Sequence, residues 1–291
     1  MFENHHTGSA PAMPTRLLYQ FPGSHFCEKS RWNLDYKGLP YAPRNLLPGP
    51  HLVQARRLVG SKTLPILADG GRYIADSTAI ALHLEQTCAT PGLLPTNPAD
   101  RARVLALEER YDKLGEDVRR WVYNYLIPLP DFSAIFFRDY ALPARWLGYA
   151  MTPVLRRVLV HDCRIKPANV LRSLQLLRAS LDQLEAGLGH DPARYLVGGR
   201  FTLADLSAAA LLAPLLGPPG SPWADATTVP ELLAMRRELG QRVAGQWIAR
   251  LYREHRRPAG AQGGDSVEQD SQEGAQQRED GVGHGGLIIK R

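Results

Sequence analysis

The spacing of apolar and polar positions divides the chain into a mixed front and a helical rear. Leu17-Leu18-Tyr19 is an apolar run of strand length. The turn Phe21-Pro22-Gly23-Ser24 follows, then a helical pattern over 25–37 that Gly38 stops and Pro40 cannot continue. Phe26, Ser30, Asn33, Leu34 and Lys37 share one face of that helix. The apolar stripe is therefore partial, and the helix is marked as much by its punctuation. Residues 41–47 read as a second strand, broken by Pro48-Gly49-Pro50, and 51–59 as a short basic helix. Residues 63–68 and 72–75 read as two strands joined by a hairpin turn at Asp69-Gly70-Gly71, and 76–87 as a helix. The order is βαβαββα, which predicts a sheet of mixed direction with helices on both faces.

Past a linker rich in proline, strand signals vanish. Asn97 or Asp100 can cap a long helix reaching about residue 125, with Val104, Leu107, Tyr111, Leu114 and Val118 on one face and Pro128 and Pro130 beyond its end. Residues 131–160 are aromatic and apolar with interspersed arginines, and predict two short helices. Residues 167–188 predict an amphipathic helix with a stripe of Leu171, Leu174, Leu177, Leu181, Leu184 and Leu188. Thr202 and Asp205 have the spacing of a reciprocal helix cap, and Phe201 and Leu206 that of a hydrophobic staple. Their role is structural. The helix they open predicts an end before Pro214 or Pro218, and 229–257 predict one or two basic helices. The expected organisation is a leader at 1–14 without order, an α/β domain at 15–88, a linker at 89–99, an all-helical domain at 100–257 and a tail without order at 258–291.

Composition narrows the class. Hydrophobic residues make up 44% of the chain, enough for a packed core. Cys27, Cys88 and Cys163 lie far apart, with neither metal-ligand nor disulfide spacing, which points to a reducing compartment. No metal site is expected, and His5-His6 read as a solvated pair. No apolar signal core or run of spanning length is present, so a cytoplasmic protein without a transmembrane segment is the expectation. The net charge is +6, although residues past Arg257 hold six acids against three bases, so the rest is more basic still. A basic body attracts anionic substrates. No aromatic-basic module for nucleic acid is visible.

The candidate chemistry sits at the mouth of the first helix, where Ser24 and Cys27 are spaced S-x-x-C. First-turn N–H groups lack helical partners and the helix dipole adds partial positive charge, so such an end stabilises an anion, a thiolate included. The same spacing equally suits a plain N-cap serine and a buried small cysteine. His25 reads as a surface residue at the helix start rather than a base.

Three segments carry a resemblance. Ser24-His25-Phe26-Cys27-Glu28-Lys29-Ser30-Arg31 is similar to the S-x-x-C/S-x-x-x-R helix start of cytosolic glutathione S-transferases. Thr63-Leu64-Pro65-Ile66-Leu67 resembles the family's segment around a cis proline, and Ile74-Ala75-Asp76-Ser77-Thr78-Ala79-Ile80 its E-S-x-A-I segment. In this order and at this spacing they resemble the serine-type, bacterial-like members of that superfamily. The resemblance covers about 15–100 well and about 190–250 in part, and 121–170 poorly. It implies a thioredoxin-like first domain, an all-helical second domain, glutathione as co-substrate and a homodimer.

It also implies roles. Ser24 would stand at the catalytic position and donate to the glutathione thiolate, with Cys27 and Tyr19 as alternatives. Leu64, before Pro65, would hold the cysteinyl backbone, and Lys62 would reach the glycine carboxylate. Ser77 would take the γ-glutamyl carboxylate and Asp76, where the family more often has Glu, the ammonium. Trp121, Tyr125, Phe132 and Phe136 would line the pocket for a small hydrophobic electrophile or peroxide, or simply fill core. The stretch 121–170 could equally present a partner or membrane-surface patch, for which Arg145, Arg156 and Arg157 fit adhesion better than spanning. A non-catalytic binding protein of the same fold, and a thiol oxidoreductase acting through Cys27, are the other readings.

Overall fold

A computed structural model describes residues 16–225 and 229–257. The expected leader at 1–14 and tail at 258–291 lie outside the described residues. The front forms β1 (Leu17–Gln20), α1 (His25–Tyr36), β2 (Ala42–Asn45), α2 (His51–Val59), β3 (Ile66–Asp69), β4 (Arg72–Ala75) and α3 (Ser77–Thr87), in the predicted order. The sheet runs β2-β1-β3-β4. β1 and β2 are parallel, as a helical crossover requires. The other two pairings are antiparallel. Leu18, Leu34, Leu67, Ile80 and Leu84 pack on one face of the sheet, and Tyr19, Cys27, Ala55, Leu64 and Ile66 on the other. This is the mixed, two-faced sheet of a thioredoxin-like fold.

The rear is all helical among the described residues. α4 (Pro98–Leu126) starts on an Asn97 cap whose side chain accepts from the amides of Ala99 and Asp100. α5 (Phe132–Phe136), α6 (Leu142–Asp162), α7 (Pro167–Gly187), α8 (Leu203–Leu216), α9 (Pro230–Gln241) and α10 (Val243–His255) follow. α8 is apolar almost throughout and sits at the centre, every residue from Leu203 to Leu215 buried. Asp205 is what lets an apolar helix begin inside the core. Its carboxylate accepts from the amides of Leu196 and Thr202, each at 2.8 Å, and from the Thr202 hydroxyl at 2.6 Å. Burial nonetheless pushes that carboxyl up to about 6.

Two expectations are corrected. The stretch 131–160 holds one short helix and one of 21 residues, not two short ones. Pro143 occupies the first turn of α6, where no N–H is missed, and Pro153 lies inside it without ending it. α8 runs past Pro214 and ends at Leu216, before Pro218, the later of the two expected stops. On α7 the buried face is Val170, Ser173, Leu177, Leu181 and Leu184. Leu171 points to solvent, because leucines on more than one face made the apolar stripe look wider than it is.

The two parts share a core. Trp32 of α1 and Ala81 of α3 belong to the same buried cluster as α4, α7, α8 and α10. Polar ties run beside it. Lys29 is fully buried, and its Nζ donates to Glu108, to Asp112 at 2.8 Å and to the Thr78 hydroxyl at 2.9 Å. The Thr78 hydroxyl donates in turn to Glu108 at 2.7 Å. Glu28, also fully buried, is held between Arg31 and Arg256. Burial alone would raise the Glu28 carboxyl, but the two guanidiniums outweigh it and hold it below the ordinary carboxylate range.

Breaking a buried ion pair from one side leaves an uncompensated charge, whereas replacing both partners removes the problem. Lys29→Met is therefore expected to destabilise the fold by about 3–5 kcal/mol. Lys29→Met with Glu108→Leu is expected to recover most of that loss. Denaturant unfolding of both variants measures the difference.

Candidate functional site

The sheet register gathers the predicted site segments. Tyr19 pairs with Ile66 and Ile66 with Ala75, so the end of β1, the start of β3 and the end of β4 lie at one end of the sheet. Ser24, Leu64-Pro65 and Asp76-Ser77 each sit a few residues beyond those strand ends. The Leu64–Pro65 peptide is cis. The Pro65 carbonyl accepts from the Asp76 amide at 3.2 Å, which joins two of the three segments directly.

The helix mouths supply donors. Ser24 caps α1, its hydroxyl accepting from the Cys27 amide at 3.4 Å and its carbonyl from the Glu28 amide at 2.9 Å. The first-turn amides of His25 and Phe26 remain as donors. A hydroxyl that accepts from the backbone keeps its own proton to give. Arg31 fixes this turn. Its guanidinium donates to Gln20 of β1 at 2.6 Å, to the Pro22 carbonyl at 3.0 Å and to Glu28 at 2.8 Å. The arginine of the S-x-x-C-x-x-x-R pattern thus ties strand, turn and helix together.

At α3, one oxygen of Asp76 accepts from the amides of Thr78 at 2.8 Å and Ala79 at 3.0 Å, and the Asp76 carbonyl accepts from Ile80. The amide of Ser77 is then the remaining first-turn donor. Asp76 stands at φ 79° and ψ 136°, a conformation side chains seldom adopt and one that marks a constrained corner. Ser77 is buried, with its hydroxyl 3.5 Å from Asp112 on α4.

The remaining predicted residues divide. Tyr19 is buried beside Cys27 and Leu64, its ring tilted against Tyr73. Cys27 is fully buried, and its sulfur accepts from the Phe21 amide at 3.5 Å. Burial pushes its thiol up, and the nearby Arg31 opposes this only in part. Lys62 is exposed at the approach to β3, where its carbonyl meets the His51 ring nitrogen at 3.2 Å. The four aromatics expected to form one pocket fall into two pairs. Trp121 stacks edge-on with Tyr125 at 5.2 Å, Trp121 buried in the shared core and Tyr125 packed against it. Phe132 meets Phe136 at 5.1 Å in a separate cluster under α5 and α6.

His25 is not on the surface. Its ring is buried between α1 and α4, tilted against Phe26 and with Nε2 2.9 Å from the Gly115 carbonyl. Burial, with Arg119 adding repulsion, lowers its pKa to about 3. The ring is neutral and Nε2–H donates. Gly115 permits this approach, since a Cβ there would lie 2.9 Å from the Phe26 ring and 3.3 Å from His25 Nε2.

Sequence reading missed Lys29, Glu108, Asp112 and Gly115, which join the helical part to the site. Glu108, Asp112, Gly115, Arg119 and Tyr123 recur at steps of four, three, four and four along α4. That is a helical face as regular as the apolar one, but polar spacing reads as a solvated surface unless a buried partner is known.

Two family models match the chain. Residues 18–92 match the glutathione S-transferase N-terminal domain and 167–231 the C-terminal domain of that family. No curated protein matches it. Among solved structures it is similar to a β-etherase from Sphingobium sp. strain SYK-6, with 20% identity and a TM-score of 0.52 over 80% of this chain and 98% of that one. A glutathione S-transferase from Sinorhizobium meliloti 1021 gives 22% identity and 0.52 over 80% and 91%. The theta class glutathione S-transferase of Xanthomonas axonopodis pv. citri, solved with glutathione bound, gives 21% and 0.51 over 80% and 96%. These structural likenesses establish the fold. The two family domains, matched in order, place the chain in the glutathione S-transferase superfamily.

His25 gives a signed pH prediction. Its folded pKa lies below the unfolded value of 6.5, so the unfolded chain binds the extra proton first. The stability it contributes is complete above pH 6.5 and is lost as pH falls toward 3. The loss at pH 4 is about 3 kcal/mol. His25→Gln, which keeps a donor for the Gly115 carbonyl, is expected to unfold with a flatter dependence over this range. Chemical denaturation at stepped pH checks it.

Proposed function

We propose that the protein is a glutathione-dependent transferase in which the Ser24 hydroxyl donates to the glutathione thiolate. The observation that carries this reading is the convergence of Ser24, Leu64-Pro65 and Asp76-Ser77 at one end of the sheet, with helix N-termini on two sides. Glutathione presents two carboxylates, an ammonium and a thiol whose ordinary pKa is about 8.5. The Ser77 amide and hydroxyl suit the γ-glutamyl carboxylate, as helix starts suit anions generally. The second oxygen of Asp76 is left to take the ammonium. The Leu64 backbone would pair with the cysteinyl peptide, and the exposed Lys62 would meet the glycine carboxylate.

The sulfur then lies at the mouth of α1. There the Ser24 proton and the positive helix end favour the charged form and lower the thiol pKa. The thiolate attacks a small electrophile at carbon and displaces its leaving group, or attacks the outer oxygen of a hydroperoxide, breaking the O–O bond so that the sulfur is oxidised to a sulfenic acid and the peroxide is reduced to an alcohol. Cys27 suits neither this role nor mixed-disulfide exchange, because it is fully buried and its thiol is pushed up. Tyr19 is committed to the core under β1.

The acceptor side is assigned to the α4 face above Gly115. Arg119 lies 5.9 Å over the Phe26 ring, and Tyr123 meets Phe136 at 6.4 Å. All four are only partly buried, unlike Trp121 and Phe132. Phe136 is the member of the originally expected pocket that this arrangement retains.

Ser24→Ala is expected to lower kcat for conjugation of an activated aryl halide by about 10²–10³, as for loss of one donor to a developing anion. Cys27→Ala is expected to leave kcat within about threefold, since packing rather than chemistry is changed. Steady-state kinetics on the two variants decide it. Unchanged turnover in Ser24→Ala with full glutathione binding would sink the assignment.

A further inference from the structure

α6 carries an exposed apolar face that the fold leaves uncovered. Gly148, Thr152 and Leu155 are its buried positions, seated on the cluster of Ile127, Phe132, Phe137 and Tyr140. The opposite side presents Trp146, Leu147, Val154 and Val158, with Leu142 at the entrance. At 100° per residue, Pro143, Ala150, Arg157 and His161 complete that outward face. Trp146 is 69% exposed and Leu142 66%, values at odds with the burial such side chains normally find. Six of the twelve exposed large apolar residues among those described lie on this one helix. The stretch 142–166 falls between the two matched family segments, so neither family domain accounts for it.

Charge decides what covers the face. Residues 142–166 hold five Lys or Arg against one acid, Asp162, or +4 of the chain's net +6. Arg157, Arg164 and Lys166 are exposed, and among the described residues none is in an ion pair. Arg145 donates to the carbonyls of Phe137 and Arg138, and Arg156 to that of Leu129, so no carboxylate cancels either charge. A second copy docked on this face would set one cationic helix against another. The surface is also the convex side of a single helix rather than a groove for a peptide. A flat, negatively charged layer with an apolar interior complements both features.

We propose that α6 lies in the plane of an anionic lipid bilayer, with Trp146, Leu147, Val154 and Val158 entering the headgroup boundary and Arg157, Arg164 and Lys166 meeting lipid phosphates. No helix among the described residues is long and apolar enough to cross a membrane, so the attachment is peripheral and reversible. It holds the enzyme at the surface where apolar electrophiles and lipid peroxides partition. The docking itself is independent of the catalytic assignment.

Flotation of the full chain with phosphatidylcholine vesicles, with and without phosphatidylglycerol, tests the proposal. The chain is expected to float with the anionic vesicles at low ionic strength, to be released by salt, and to stay behind with pure phosphatidylcholine. Trp146→Ser with Leu147→Ser is expected to cut the partition coefficient by about tenfold or more. Arg157→Glu with Arg164→Glu and Lys166→Glu is expected to cut it by about 100-fold. All five side chains are exposed, so thermal melting of both variants should match the parent. No flotation at low salt, equal flotation with both vesicles, or unchanged flotation of either variant overturns the proposal. So does a concentration-dependent dimer in sedimentation that Trp146→Ser with Leu147→Ser abolishes, since the face would then belong to a second copy.

Discussion

A lysine with no exposed surface sets the terms for this molecule. Lys29 lies on the helix that begins at Ser24, and its charge is tolerable only with carboxylates around it. Two come from α4, Glu108 and Asp112, while Thr78 of α3 completes the set. One ammonium therefore fixes three helices relative to each other, two from the sheet-bearing part and one from the helical part. The hydroxyl of Ser77 reaches the same Asp112, so the cluster continues to the mouth of α3. A buried ionic cluster of this kind adds little net stability over apolar side chains, but it penalises every other arrangement of its partners. Here the arrangement it favours is the one in which two helix N-termini face a common end of the sheet.

The second interdomain tie runs along α1, from Glu28 in its first turn to Asp35 in its last. Arg256, just past α10, reaches Glu28 at 2.7 Å and Asp35 at 2.6 Å, and the Trp32 indole donates to the His255 carbonyl at 2.9 Å. α1 is thus gripped along its length. The grip bears on chemistry because Arg31, which shares Glu28 with Arg256, also holds the Ser24 turn to β1. In the proposed function Ser24 is a donor to a thiolate; such a donor is useful in proportion to how little it moves, and here the turn is restrained from three directions.

The front of the chain was largely legible because local signals agreed with the final structure. Gly38 follows α1 at φ 63°, Pro48-Gly49-Pro50 separates β2 from α2, and Asp76 caps α3. The 202–205 cap was equally plain from its spacing. What could not be read was the burial of charge. Lys29, Glu28 and Glu108 look like solvated positions, since a charged side chain is buried only when distant partners meet it, and those partners lie 79 and 228 residues away. His25 looks like a surface residue for the same reason, as Gly115 opens its place from another helix. The long α6 was obscured by Pro143 and Pro153, and its outward apolar residues look like core in a sequence.

Under the proposed function the site ionises bound glutathione. Ultraviolet difference titration of thiolate absorbance on the protein–glutathione complex measures this directly. A thiol pKa at least about one unit below the ordinary 8.5 is expected. That lowering should disappear in Ser24→Ala while binding persists. Tight binding with a thiol that titrates as it does in water would contradict it, leaving a glutathione-binding protein without the means to activate its ligand.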